Sequence, residues 1–149
     1  MNYQGSIKLN YQNDYAFKQL FKAVLNRLAN HQTKLAIWLI SEIDLSLLNT
    51  QRIGVQSPFK ESNSELDGLG FVIEVEPSTV ENIIQVLAVE DYLRYEILHL
   101  EIKAYGSIQF SAYDHFEHVF FGNEIDLKLL EDLKIHEIID DYQIFEKES

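Results

Sequence analysis

The chain has 149 residues, 46% of them apolar and 24% charged, with 12 lysines and arginines against 24 aspartates and glutamates and no cysteine. One hydrophobic core serves about 100 to 200 residues, so this length and composition describe a single globular domain, residues 1–149, and exclude a disordered tail. The missing thiols exclude a disulfide framework, a thiolate zinc site and a cysteine nucleophile, and they accord with a reducing, cytoplasmic setting.

The charge is unevenly spread. Residues 1–60 hold seven basic and three acidic side chains, a balance of +4, while residues 61–149 hold five and 21, a balance of −16. Phosphate backbones and anionic leaflets are bound by clustered lysine and arginine, so this field disfavours a general nucleic-acid or membrane binder and favours a basic partner. Met1 to Asn10 is polar, with Ile7 and Leu9 its only aliphatic residues past Met1. No run approaches the roughly 18 apolar residues of a membrane span, so neither secretion nor spanning is expected.

In chain order, Gly5 to Tyr11 alternates polar and apolar residues, the period of a half-buried strand. Asn13 or Asp14 is placed to cap a helix whose Phe17, Leu20, Phe21, Val24, Leu25 and Leu28 follow the steps of three and four that make one buried stripe. Its other face carries Lys18, Lys22, Asn26 and Arg27. Leu35 to Ile40 is a continuous apolar run, which periodicity assigns to a buried strand or a buried helix turn, with strand favoured. Asn49 to Gly70, rich in Ser, Asn, Gly and Gln, reads as a long loop with local turns. Gly70 to Glu76 reads as a strand ended by Pro77, and Ser78 or Thr79 caps a helix with Val80, Ile83, Ile84 and Leu87 on one face.

Glu96 to Tyr113 carries the clearest β signal. Leu98, Leu100 and Ile102 alternate with His99, Glu101 and Lys103, and Ile108, Phe110 and Ala112 with Gln109, Ser111 and Tyr113. A two-residue turn at Tyr105-Gly106 would set Ile102 opposite Gln109 on the core face. A three-residue loop Ala104-Tyr105-Gly106 instead pairs Ile102 with Ile108 and Leu100 with Phe110, and predicts an outward polar ladder in which His99 faces Ser111 and Glu101 faces Gln109. A last helix is expected from Asp126, with Leu127, Leu130 and Leu133 inward, and Tyr142 to Phe145 as an edge strand. The order predicts an α+β fold: a mixed or antiparallel sheet with a central hairpin, packed by about three helices.

Two patterns suggest chemistry. In Asp114-His115-Phe116-Glu117-His118 the histidines are three apart, not the four of a zincin helix, and the His-x-Glu half of the zinc-deaminase signature lacks its cysteine pair. Turn and surface histidines are the reading these spacings favour. Glu101-Ile102-Lys103 with Asp91 upstream resembles the Asp, then Glu-x-Lys pattern of the restriction-endonuclease-like nucleases, in which the acids hold Mg²⁺ and the lysine helps activate water. The acidic field opposes a nucleic-acid substrate, so a solvent-facing Glu and Lys is the favoured reading and the nuclease the alternative. No Walker loop, dinucleotide fingerprint or nucleophile elbow occurs.

What remains is a run of Glu90, Asp91, Glu96, Glu101, Asp114, Glu117, Glu124 and Asp126 interleaved with Tyr92, Tyr95, Tyr113 and Phe116. Tyrosines anchor interfaces at low entropy cost, and a negative field speeds encounter with a basic partner. The expected partner-binding residues, on this charge argument, are Glu96, Glu101, Tyr113, Asp114, Phe116, Glu117, Glu124 and Asp126. No catalytic or metal-ligating residue and no cofactor is assigned.

A cysteine-free, strongly acidic chain of this size, with Phe110-Ser111-Ala112-Tyr113-Asp114-His115-Phe116 running on through Val119-Phe120-Phe121-Gly122 to a Leu-rich helix, resembles the small bacterial immunity proteins of contact-dependent inhibition and polymorphic toxin systems. The resemblance is general and carries no defining motif. It implies a cytoplasmic, non-enzymatic protein that binds a cognate basic toxin domain, frequently a nuclease, and blocks it. An acidic adaptor or DNA mimic is the remaining alternative.

Overall fold

A computed structural model describes residues 3–59, 62, 65–88 and 92–146. Eight strands form one sheet: β1 (Gly5–Leu9), β2 (Thr33–Leu39), β3 (Thr50–Ile53), β4 (Leu69–Val75), β5 (Ile97–Ala104), β6 (Ser107–Tyr113), β7 (His118–Phe121) and β8 (Ile139–Ile144). The helices are α1 (Ala16–Leu28), α2 (Val80–Ala88), α3 (Tyr92–Tyr95) and α4 (Leu127–Ile135). The strand order is β3-β4-β2-β5-β6-β7-β1-β8 and every neighbouring pair is antiparallel. The α+β class is thus shown, with the β5–β6 hairpin at the middle of a sheet wider than a hairpin with flanking strands.

The sheet has two unlike faces because its strands alternate. On one face Leu35, Ile37 and Leu39 of β2, Leu100 and Ile102 of β5, and Phe110 and Ala112 of β6 join the buried stripes of the helices in the main core. The α1 stripe, Phe17, Leu20, Phe21, Val24, Leu25 and Leu28, is the one its spacing predicts. The helix starts one or two residues later than its candidate caps: Tyr15 is the N-cap, without a side-chain cap bond, while the Asn13 carboxamide accepts from the Tyr15 N–H at 3.0 Å. On the opposite face the segment after β3 folds back over the sheet and closes a smaller cluster of Ala36, Trp38, Phe59, Leu66 and Ile108. The Trp38 indole donates to the Gly54 carbonyl at 3.0 Å.

The hairpin departs from the three-residue loop. Tyr105 (φ 55°) and Gly106 (φ 85°) are both left-handed, as a two-residue type I′ turn demands, and Ala104 pairs with Ser107. The register then slips between Ile102 and Lys103, so that Lys103 faces Ile108, Ile102 faces Phe110 and Glu101 faces Ser111. Gln109 is the extra residue of a bulge. Its Nε2 donates to Ser107 Oγ at 2.9 Å and its Oε1 accepts from the Glu124 N–H at 2.9 Å, so the buried amide is satisfied. The polar mismatch that disfavours the short turn is thereby absorbed, and Ile108 moves to the face of Trp38.

Three further expectations are corrected. The Asn49–Gly70 stretch contains the edge strand β3, whose sequence Thr-Gln-Arg-Ile has no apolar alternation to betray it. Residues 118–121, given no element from sequence, form β7. Leu127 is 49% exposed, whereas Leu130 and Leu133 are buried. Asp126 does cap α4, accepting from the Leu129 N–H at 2.9 Å. At the outer strand β8, Asp141 Oδ1 accepts from the Tyr142 N–H at 2.9 Å and from Lys134 at 3.2 Å. No helix among the described residues is long and apolar enough to cross a membrane.

Phe21 is fully buried and Leu127 is not, and the stability of their alanine variants should separate them. Phe21→Ala is expected to cost about 3–5 kcal/mol and Leu127→Ala no more than about 0.5 kcal/mol, read from urea denaturation midpoints at constant slope.

Candidate functional site at the Asp114 end of the sheet

The sheet face opposite the helices carries a chain of buried polar groups. Glu101 is 0% exposed, which overturns its placement on an outward ladder. The folded-back segment covers it: Ser57 Oγ donates to Oε1 at 2.6 Å, and Ser62 Oγ to Oε2 at 2.9 Å. The Tyr113 hydroxyl donates to Oε2 at 2.7 Å, and Tyr3 links Tyr113 (3.3 Å) to Ser111 (2.6 Å). Lys103 lies on the same face with its Nζ 6.0 Å from the centroid of the Phe59 ring. Glu101 and Lys103 thus share a face as the Glu-x-Lys pattern needs, but both carboxylate oxygens are taken by hydroxyls; Asp91 lies outside the described residues, as does Glu90. Among the described residues no three histidine, aspartate or glutamate side chains are grouped to hold a metal ion.

The strands end, beyond His99, in an exposed face built by separate segments. The four residues between β6 and β7 turn back sharply, with Asp114, His115 and Phe116 all left-handed at φ 54°, 58° and 67°. Each such residue costs on the order of 1–3 kcal/mol, so the turn persists only because its surroundings hold it. The Asp114 N–H donates to His99 Nδ1 at 3.1 Å, the His115 N–H to the Leu98 carbonyl at 2.9 Å, and the Glu117 N–H to the Asp114 carbonyl at 3.2 Å. Phe116, expected at the surface, is 1% exposed and meets Phe17 edge-on at 5.3 Å. Tyr11, from the β1–α1 connection, donates to the Phe116 carbonyl at 2.6 Å. Burial first, and the Glu117 carboxylate second, hold its phenol above the ordinary tyrosine range.

Two more segments complete the face. Glu137, also left-handed at φ 60°, follows α4, and its carbonyl accepts from the side chains of Asn10 and Asn13 at 2.9 Å each. In α3, Arg94 lies over the rings of Phe17 and Tyr95 (5.6 and 5.4 Å) and reaches Asp14 at 3.6 Å. Glu96 follows α3, accepting from the Ser41 hydroxyl at 2.6 Å. Asp67, just before β4, accepts from His99 Nε2 at 2.8 Å, and that bond is the first cause of its carboxyl being held below the usual range. Tyr11, Tyr15 and Tyr95, 43%, 69% and 59% exposed, thus lie at the same end of the sheet as Asp14, Asp67, Glu96, Asp114, Glu117 and Glu137, which are spread across its width from β4 to β8. Arg94 and Lys18 border a cavity of about 270 Å³ with Asp14, Tyr15 and Phe17.

Of the eight sequence-derived candidates, Glu96, Asp114 and Glu117 meet here. Tyr113 is half-buried with its hydroxyl committed to Glu101. Glu124 and Asp126 lie near the opposite end of β6, roughly 20 Å away at about 3.3 Å per strand residue, and both pair with Arg27 at 3.5 and 3.7 Å. Tyr11, Tyr15, Asp67 and Glu137 were not singled out, since only the chain's return to one end brings their segments together; His99, expected on an outward ladder opposite Ser111, is instead 5% exposed.

Protein-family models, curated proteins and solved structures were compared with the chain, and none matches.

The Tyr113 phenol is pushed up, first by burial and then by its bonds to Tyr3 and Glu101. A neutral acid whose folded value is raised contributes stability that is fully present below its unfolded value, about pH 10, and that drains as the pH climbs above it. Urea denaturation between pH 8 and 11 should therefore show Tyr113→Phe less stable than the parent at pH 8, with a shallower alkaline decline.

Proposed function

We propose that this chain is a binding protein of the immunity type, which captures a basic toxin domain and neutralises it without turnover, and that the Asp114 end is its contact face. The carrying observation is that three exposed tyrosines and six carboxylates lie along that one end of the sheet, with only Arg94 and Lys18 as basic groups beside Asp14 and Tyr15. Aromatic anchors with an acidic surround are what a cationic protein surface binds best: tyrosines exclude water at the centre, and carboxylates steer the approach. Besides Glu137, residues 124–146 add seven acidic side chains against two lysines, which extends the field beyond the contact.

Neutralisation then follows from occlusion. A toxin that acts on nucleic acid needs a positive groove for phosphates, and a face carrying carboxylates competes for that groove with the opposite partner's charge. The four left-handed non-glycine residues at this end support the reading, because such strain collects where a fold must present groups in a fixed array. The cysteine-free composition accords with action in the cytoplasm.

Association with basic nuclease toxin domains, beginning with any encoded beside this gene and followed by surface plasmon resonance, tests this. Lysine at Glu96, Asp114 and Glu117 together should slow association by about 10-fold or more and flatten its dependence on salt. Tyr95→Ala should act mainly by speeding dissociation. Glu124→Lys with Asp126→Lys, at the far end, should change the association rate far less. Equal effects at the two ends, or no binding by the parent chain, would overturn the proposal.

A further inference from the structure

His99 is 5% exposed, and both of its ring nitrogens are engaged. Nδ1 accepts the Asp114 backbone N–H at 3.1 Å, so it carries no proton; Nε2 then holds the ring's single proton and donates it to Asp67 Oδ1 at 2.8 Å. This is a neutral imidazole fixed in one tautomer. A second proton can enter only at Nδ1, where it would point at the Asp114 N–H and set two donors against each other.

A carboxylate acceptor for that new N–H is at hand in Asp114, whose Oδ1 stands 3.9 Å from Nδ1. To reach it the turn must shift, and the shift removes the backbone bond that holds the first of three consecutive left-handed residues. We propose that His99 is a proton-operated latch on the β6–β7 turn: neutral, it holds Asp114 and Glu117 in the array seen here, and protonated, it releases them. As a control on partner binding this rests on the reading of the Asp114 end as the contact face; as a property of the turn it does not.

The surroundings favour two states. Asp67, from the segment before β4, accepts from Nε2–H in both, so the change is confined to Nδ1. From the turn itself come the Asp114 carboxylate, which draws the second proton in, and His115, whose buried Nδ1 makes no hydrogen bond among the described residues and whose effect the His99→Gln control separates. From β7, His118 Nε2 lies 4.0 Å from Asp114 Oδ2 and competes for the same carboxylate. From β6 the Tyr113 ring lies 6.0 Å away with its hydroxyl on Glu101, and that carboxylate, two residues along β5, is occupied by its own donors. From β2, Trp38 sits opposite in register and does not titrate.

The test uses the free chain first. Nitrogen-15 spectra of the His99 ring should show Nδ1 unprotonated and Nε2 protonated at pH 8, and protons on both nitrogens in the sample taken to about pH 5. Amide exchange, corrected for its intrinsic pH dependence, should over the same range speed at least tenfold for Asp114, His115 and Glu117, and hold steady for Leu100 and Ile102. In His99→Gln, which cannot titrate, the turn amides should lose that pH dependence. Asp114 protection unchanged at pH 5, a ring still unprotonated at Nδ1 there, or a proton on Nδ1 at pH 8 overturns the latch. With the toxin domain added, a turn that opens while no binding occurs at any pH sinks the partner reading and leaves the latch; binding with an unmoved turn does the reverse.

Discussion

A carboxylate shut away from water in the middle of a sheet obliges its neighbours to supply donors, and Glu101 imposes that obligation here. Removing one partner from a buried charge costs far more than a surface contact is worth, so the hydroxyls of Ser57, Ser62 and Tyr113 are tied to it. Two of them belong to the segment that lies over the sheet, which explains how a polar, apolar-poor stretch is held down. Phe59 and Leu66 packed against Trp38, and the Trp38 indole bond to the Gly54 carbonyl, add to its hold. The same segment delivers Asp67 to His99, and His99 in turn holds the backbone of Asp114. A single buried acid thus orders a path from the centre of the sheet to its exposed end.

That end has the usual relation of rigid scaffold to presented loops. Strands and helices set where the 10–15, 92–96, 114–117 and 137 segments emerge; bonds between segments set their shape. Phe116 shows the division of labour. Its ring belongs to the main core, its carbonyl takes a bond from Tyr11, and its left-handed backbone lets Asp114 and Glu117 face outward on either side. A residue buried in this way does not touch a partner, yet it determines the spacing of those that do.

How much of this was legible in the sequence depended on whether the signal was local. The stripe of α1, the strands β2 and β4, the α2 face and the Asp126 cap are all written in short-range periodicity or capping chemistry, and the structure agrees with each; the edge strand expected at Tyr142 to Phe145 is present as β8 but begins three residues earlier and stops at Ile144. The hairpin register was not, because parity reasoning assumes an unbroken ladder, and the Gln109 bulge breaks it with a side chain that finds its partners in Ser107 and Glu124. Glu101 looked solvent-facing for a related reason: alternation gives the face of a sheet but says nothing of a loop that returns to cover it. Charge counting found Glu96, Asp114 and Glu117 but grouped them with Glu124 and Asp126, which are near in sequence and a strand's length apart in space.

The outer strand β8 leaves one last consequence. A sheet this wide would ordinarily be extensible, since the last strand of any open ladder offers its amides to the next molecule. Here Asp141 folds onto the Tyr142 amide beside it, and Asp140 adds a second negative charge. A newcomer strand would find a donor already spent and a charge to be stripped of water before it could dock. Growth of the sheet into a fibre is discouraged at its margin by one aspartate bent back upon its own neighbour.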